Sequence, residues 1–282
     1  MPEHTLRFAT LASGSSGNVI YCETVDGAIL IDAGISAVEV DRRLRQVGGD
    51  IGRIEGMILT HMHIDHVRSA GTLSRRHGIP LFMTHGTHRA CAAYFHQVSG
   101  LRLFEPGSLL CLGGFHIQCV LTPHDAPESV ALVLQRGATR LGLFTDLGHC
   151  FEGIGEIVST LDAILIESNY DPGMLRRGGY PETLKARILG PRGHLSNEEA
   201  AALIRDHAAP RLQAILLGHL SENNNVPDLA LDCFRRVAGD FLKAHRPILA
   251  VAPRHAPSAL FVIRPRREKK DPHDPKEVPA DA

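Results

Sequence analysis

Short apolar runs separated by glycine-rich turns open the chain: LRFATLA, SGSSGN, VIYCETV, DG and AILIDAG follow one another between residues 6 and 34. Runs of this length bounded by turn formers predict strand, loop, strand, tight turn and strand. The period then changes. In SAVEVDRRLRQVG, Val38, Leu44 and Val47 recur at roughly helical spacing behind a capping Ser36 and ahead of Gly48, which predicts a helix. GMILT, residues 56–60, is a short buried strand. A helix near 71–78, a strand at 79–84 and a helix from about 87 to 98 come next. Residues 108–148 read as antiparallel strands with turns at Gly113-Gly114 and at 136–139. Beyond them DAILIESN, LQAILLGH and PILAVAP are strands, separated by helices at about 196–207 and 228–245. Strands first in meander and later interleaved with helices predict an α/β protein of two mixed sheets with helices on their outer faces.

Composition adds bounds. A chain of 282 residues with 44% hydrophobic content can bury one substantial core, so a single domain over 1–263 is expected. Residues 264–282, RPRREKKDPHDPKEVPADA, are charged, proline-rich and nearly free of apolar residues, which predicts a disordered tail. A formal net charge of −1 supplies no global attraction for nucleic acid or a membrane, so any such attraction must be local. The six cysteines form no C-x-x-C pair, and no apolar signal region follows Met1. Both features fit a reduced, cytoplasmic protein. No uncharged apolar run is long enough to span a bilayer.

The seventeen histidines change the picture through their placement. Directly after GMILT stands THMHIDH, residues 60–66. In extended chain His61, His63 and Asp65 face one way while Met62 and Ile64 face the other, so donors converge and apolar groups anchor the loop. His66 follows where the chain can turn into a helix. Four ligand-type side chains in six residues at a strand end predict a metal site, because burying them without a partner is costly.

HMHIDH matches the H-x-H-x-D-H signature of the metallo-β-lactamase superfamily. With LASGSSGN, TPHDAPES, TDLG, ESNYDPGMLRRGGYPETLKARI, GHLSN and LLGHLSENN, the chain resembles the WalJ (YycJ)-like metallo-hydrolase subfamily over nearly its whole length. The resemblance implies an αββα four-layer sandwich. It also implies a di-metal centre: one zinc on His61, His63 and His124, a second on Asp65, His66 and His219, and Asp146 shared between them, with manganese as the alternative metal. Open coordination of this kind marks a catalytic site. The resemblance further implies a water activated by both metals that attacks a phosphoryl group, with Asp65 among the catalytic residues. His at position 63, where the di-iron redox branch has Glu, is similar to the hydrolytic branch.

Two segments share four letters: GHLSNEEA at 193–200 and GHLSENNN at 218–225. His219 ends the apolar run LQAILLGH and so emerges at a strand end, as the last metal ligand should. His194 follows a PRG loop and precedes Ser196 and Glu199, an S-x-x-E capping box that opens a helix. By resemblance to the tRNase Z branch, His194 serves the scissile phosphate and Glu167 orients it. A plain loop or capping role is the alternative.

Between residues 174 and 194 stand Arg176, Arg177, Lys185, Arg187 and Arg192 against Glu182 alone. Such a strip suits a phosphodiester backbone, and a solvated helix face accounts for it equally. Arg176, Arg177, Lys185, Arg187 and, from the SGSSGN loop, Ser15 and Asn18 are the expected substrate contacts. Aromatic residues are 5% of the chain and Trp is absent, which argues against an extended base-stacking platform, although Tyr170 and Tyr180 lie near the strip. Only 22 positions separate His124 from Asp146, too few for the tRNA-binding arm of tRNase Z. The resemblance implies a di-zinc phosphodiesterase on nucleic acid, a 5′ to 3′ DNA exonuclease; no membrane partner is expected. The alternatives are a thioesterase or lactonase on the same site, or a non-catalytic metal-binding regulator.

Overall fold

The apolar runs pair into two seven-stranded sheets in a computed structural model that describes residues 3–265. The first sheet holds β1 (Leu6–Ala12), β2 (Val19–Glu23), β3 (Ala28–Ile31), β4 (Ile54–Ile58), β5 (Leu81–Thr84) and β6 (Leu101–Phe104). The second holds β7 (Leu109–Leu112), β8 (Phe115–Leu121), β9 (Val130–Arg136), β10 (Thr139–Phe144), β11 (Ala163–Glu167), β12 (Ala214–Gly218) and β13 (Ile248–Val251). A last strand, β14 (Phe261–Ile263), returns to pair beside β1. Both sheets are mixed: β1 to β3 run antiparallel and β3 to β6 parallel, while β7 to β10 run antiparallel and β10 to β13 parallel.

The helices are α1 (Ala37–Gln46), α2 (Ile64–Val67), α3 (Ala70–His77), α4 (His85–Cys91), α5 (Ile154–Ser159), α6 (Pro172–Arg177), α7 (Glu182–Leu189), α8 (Asn197–His207), α9 (Pro227–Val237) and α10 (Gly239–His245). Phe8, Ile29 and Ile58 of the first sheet pack against Phe115, Leu132 and Leu216 of the second. On the outer faces, Val40, Leu44 and Leu73 cover the first sheet, and Val158, Ile204 and Phe234 cover the second. Full burial of each such side chain stabilises by about 1.5–3 kcal/mol. The result is the αββα sandwich. Because both faces of β11 and β12 are covered, AILIE and AILLG are buried at every position, which explains their unbroken apolar pattern.

Some boundaries differ from the sequence expectation. The helix expected to run to residue 98 ends with a 3₁₀ turn at Ala92–Tyr94, after which His96 takes a left-handed φ of 50°. The helix expected over 228–245 breaks at Ala238, where Gly239 starts α10. Glycine inside a helix costs about 1 kcal/mol against alanine, so a break there is cheap. β6 and β14 carry too few residues to show a period of their own and exist through pairing. The basic strip folds into α6 and α7 around a small apolar cluster of Tyr170, Leu175 and Ile188. The tail expected from residue 264 lies outside the described residues apart from Arg264 and Pro265. No helix among the described residues is long and apolar enough to cross a membrane.

Candidate metal centre

The carboxyl ends of β3, β4, β8, β10, β11 and β12 lead directly into Asp32, His61, His124, Asp146, Glu167 and His219. Parallel neighbours share a direction, so their exits gather at one edge, where α/β sheets ordinarily bind ligands. Three of these residues turn inward at a backbone cost: φ is 61° at Asp32, 57° at Asp146 and 52° at His219. Non-glycine residues held there cost of order 1–3 kcal/mol each, and such strain clusters at functional sites.

The THMHIDH segment converges by another route than the expected extended run. His63 is the N-cap of α2, its carbonyl accepting from the amides of His66 at 2.9 Å and Val67 at 3.2 Å. Asp65 and His66 therefore project from a helical turn, while His63 keeps the extended φ of −64° and ψ of 145° of a residue just outside it.

Two donor sets result. His63 Nδ1 lies 3.1 Å from His61 Nε2 and 3.4 Å from His124 Nε2. Asp65 Oδ2 lies 3.5 Å from His66 Nε2 and 3.6 Å from His219 Nε2. Asp146 stands between them, with Oδ2 3.3 Å from His66 Nε2 and Oδ1 3.7 Å from His124 Nε2. All seven side chains expected as ligands are brought together.

The residues fit a metal on grounds of hydrogen bonding. His66 Nδ1 donates to Asp32 Oδ2 at 2.7 Å, and Thr60 Oγ1 donates to the same carboxylate at 2.9 Å. The Thr60 oxygen is thereby left to accept from His61 Nδ1 at 3.1 Å. In the neutral form of both rings Nε2 is then the nitrogen without a proton, and it faces the cluster, the orientation a metal ligand needs. Asp146 Oδ2 is buried with no hydrogen-bond partner. Tetrahedral bonds of about 2.0–2.1 Å place ligand atoms about 3.3 Å apart, close to the spacings seen.

Charge is balanced within the cluster. Burial, then the neighbouring His66, His124 and His63, hold His61 well below the ordinary imidazole range. Burial also opposes charge on His66, but Asp32, Asp146 and Asp65 outweigh it and raise His66 well above that range. His219 is raised to about 10, burial being overcome by Asp146, Asp65 and Glu167. Asp65 is held far below the carboxylate range against its burial by His66 and His219. Protons on these imidazoles and a bound dication neutralise the same carboxylates, so the two compete.

Glu167, fully buried, accepts from His194 Nδ1 at 2.5 Å and His219 Nδ1 at 3.1 Å through Oε1, and from the Leu147 amide at 3.1 Å through Oε2. Burial opposes the ionised form of Glu167, yet His194 and then His219 hold it well below the carboxylate range. In return, burial of His194 is outweighed by Glu167, which raises its affinity for a proton. Asp146, Glu167, His194 and His219 themselves form a group close enough to hold a metal.

A cavity of about 220 Å³ opens over the cluster. It is lined by Ser15, Asp65, Tyr180, Arg187, His194 and Ser221, among others. Two expected substrate contacts, Ser15 and Arg187, therefore face it. Three others do not line it: Arg176 and Arg177 are exposed at the end of α6, and Lys185 Nζ bonds the Arg176 carbonyl and Glu182, each at 3.0 Å. The reason is helical spacing, since Leu184, Arg187 and Ile188 share the α7 face turned to the cavity. Asn18 is buried, also away from the expected position. It accepts from the Gly14 amide at 2.8 Å and donates to Asp65 Oδ2 at 3.3 Å, so it braces a ligand. Asp32, Thr60 and Asp125 were not singled out in the sequence. For Asp32 and Asp125 the available signal was an acid at a strand exit, the same placement that marks Asp146.

The Beta-lactamase superfamily domain model matches residues 28–216. Exodeoxyribonuclease YycJ of Bacillus anthracis is 32% identical over 227 residues, covering 80% of this chain and 86% of the relative. Exodeoxyribonuclease WalJ of Streptococcus pneumoniae serotype 2 (strain D39) is 35% identical over 234 residues, covering 82% and 87%. Among solved structures, the metallo-β-lactamase fold protein YhfI from Bacillus subtilis superposes with a TM-score of 0.70 at 15% identity, covering 92% of this chain and 99% of that one, which shows the shared fold. With this site geometry and matches of this extent, the chain belongs to the metallo-β-lactamase superfamily, on its YycJ/WalJ-like branch.

Proposed function

We propose that the protein is a di-zinc phosphodiesterase that degrades DNA from an end in the 5′ to 3′ direction, with manganese as the alternative metal. The observation that carries the reading is one cavity in which two donor sets sharing Asp146 meet the His194–Glu167 pair and Arg187. The relatives named exodeoxyribonucleases support DNA as the substrate class.

His61, His63 and His124 would hold one metal, Asp65, His66 and His219 the other, and Asp146 both. When bound, such a pair supplies an activated water and neutralises charge on a phosphoryl group. His194, its Nδ1 fixed by Glu167 and its proton affinity raised, keeps Nε2 to protonate the leaving oxygen. Without metal, Asp65 is held ionised against its burial by His66 and His219, a charge balance that a bound metal would take over. Arg187 and Ser15 at the cavity wall hold the phosphate.

The test uses one metal-loaded preparation with duplex DNA labelled at either end, single strands, RNA and a panel of thioesters and lactones. Early release of the 5′ label as mononucleotide is expected, with the 3′ label retained in long products. Thioester or lactone turnover without nucleotide release would sink the nuclease reading.

A further inference from the structure

Four of the five histidines in the cluster present Nε2 inward because Nδ1 has an acceptor: Thr60 for His61, the Gly193 carbonyl for His124, Asp32 for His66 and Glu167 for His219. His63 is inverted. Its Nδ1 faces His61 and His124, which leaves its Nε2 as the nitrogen turned to the rim of the cluster. The group placed there is Asp125, whose Oδ1 lies 3.5 Å from His63 Nε2 and 3.3 Å from His124 Nε2. That oxygen is buried and has no hydrogen-bond partner. The other oxygen, Oδ2, accepts from Arg187 Nε at 2.6 Å and forms an ion pair with Nη2 at 2.5 Å. The Arg187 side chain is 61% exposed and lines the cavity, and a guanidinium engaged at two of its N–H groups has others to offer.

We infer that Asp125 is a positioning residue that joins the metal centre to substrate recognition. Through Oδ1 it orients the ring of His63. Through Oδ2 it fixes the guanidinium of Arg187, so that its remaining N–H groups meet a substrate phosphate at a set distance from the metal ligands. The inference rests on the phosphodiesterase reading. It also makes a claim opposite in sign to simple charge counting. An acid beside a phosphate site repels DNA and cancels Arg187, so its removal should tighten binding if charge were all that mattered. If Asp125 positions Arg187, its removal weakens binding although the site becomes more positive.

The experiment compares zinc-loaded wild type with Asp125→Ala, Asp125→Asn, Arg187→Ala and the Asp125→Ala/Arg187→Ala double variant, each checked by thermal melting. Turnover of 5′-phosphorylated DNA, anisotropy binding of a phosphorothioate oligonucleotide across salt concentrations, and zinc affinity by chelator competition are measured. Arg187→Ala should raise KM about ten- to hundredfold with kcat changed less, and lower the salt slope by about one. Asp125→Ala should reproduce both effects, and at saturating zinc the double variant should bind DNA no worse than Arg187→Ala, since the pair acts as a unit toward DNA. The Asp125 variants, but not Arg187→Ala, should also weaken one zinc about tenfold. Should Asp125→Ala melt early, Asp125→Asn carries the same expectations. DNA bound as tightly or more tightly by the Asp125 variants, or losses that multiply in the double variant, overturn the inference while leaving the nuclease reading intact. Absence of DNA turnover by fully zinc-loaded wild type overturns both.

Discussion

Replacing Asp32 by Asn tests whether the site depends on an imidazole held in one tautomer. Asp32 is 1% exposed and accepts from the Thr60 amide at 2.8 Å, the Thr60 hydroxyl at 2.9 Å and His66 Nδ1 at 2.7 Å. Asparagine keeps the shape and tolerates the φ of 61°, so the backbone should survive. Its NH2 cannot accept. If it takes the place of Oδ2 it faces two donors, and the conflict is relieved by moving the His66 proton to Nε2, the atom that faces Asp65 and Asp146. Loss of such a supporting contact typically weakens metal affinity 10–100-fold, about 1.4–2.7 kcal/mol. Asp32→Ala is harsher. It strands three buried donors at about 1–3 kcal/mol each and places alanine in a left-handed conformation at about 1–2 kcal/mol more, so a stability loss of about 4 kcal/mol or more is expected. Chelator competition reads zinc affinity and urea unfolding reads stability. Asp32→Asn should weaken one of two zincs and leave the unfolding midpoint nearly unchanged. Wild-type affinity for both zincs in that variant would refute the tautomer argument.

Other expectations follow from the same geometry. His219→Ala should lose one metal, whereas His194→Ala should keep both and lose rate; zinc content by atomic absorption decides, and an emptied site in His194→Ala would mean the two GHLS histidines have exchanged roles. Gly34→Ala should destabilise by about 3 kcal/mol or more, because a Cβ there would lie 1.6 Å from the Asp65 carbonyl oxygen, which is backbone and cannot step aside; an unchanged melting temperature would contradict this. Zinc affinity should rise with pH through neutrality, about tenfold per unit for each proton displaced. The sign follows from His219, raised to about 10, and His66, raised well above its ordinary range, both of which hold protons that a metal must expel. Calorimetry in buffers of different ionisation enthalpy should detect proton release, and uptake would contradict it.

The sandwich was legible because its information is local. Strands covered on both faces, such as AILIE and AILLG, announce themselves as continuous apolar runs, and helices such as α8 carry their own capping box. The donors were legible for a related reason, as chemistry-bearing residues at the ends of those runs. What escaped depends on contacts between distant segments. Asp32 looks like any strand-end turn residue until Thr60 and His66 are seen to need an acceptor. Asp125 is overshadowed by His124 beside it, and its importance appears only once Arg187, 62 positions away, closes on it. The basic strip was misjudged as a unit because charge counting ignores facing. Four of its members do not line the cavity, Arg192 among them because it donates to the His124 carbonyl, and the one that reaches it is picked out by its i, i+3, i+4 relation to Leu184 and Ile188.

The two histidines of the repeated GHLS letters end up sharing one oxygen. Glu167 Oε1 accepts from Nδ1 of both, at 2.5 Å for His194 and 3.1 Å for His219, so in each ring Nε2 is the nitrogen left to act. Their difference lies in where that nitrogen is delivered. His219 leaves a strand in a left-handed turn, is 3% exposed, and sets Nε2 3.6 Å from Asp65 within the donor cluster. His194 enters from the loop before α8, retains 22% side-chain exposure and borders the cavity. A single carboxylate thus fixes an imidazole turned into the donor cluster and one turned to the cavity relative to one another. It can do so because Glu167 is the last residue of β11, paired in register with Gly218 of β12 immediately before His219. The sheet register, set by apolar residues that never touch the site, therefore determines the spacing between the proposed metal ligand and the proposed proton donor.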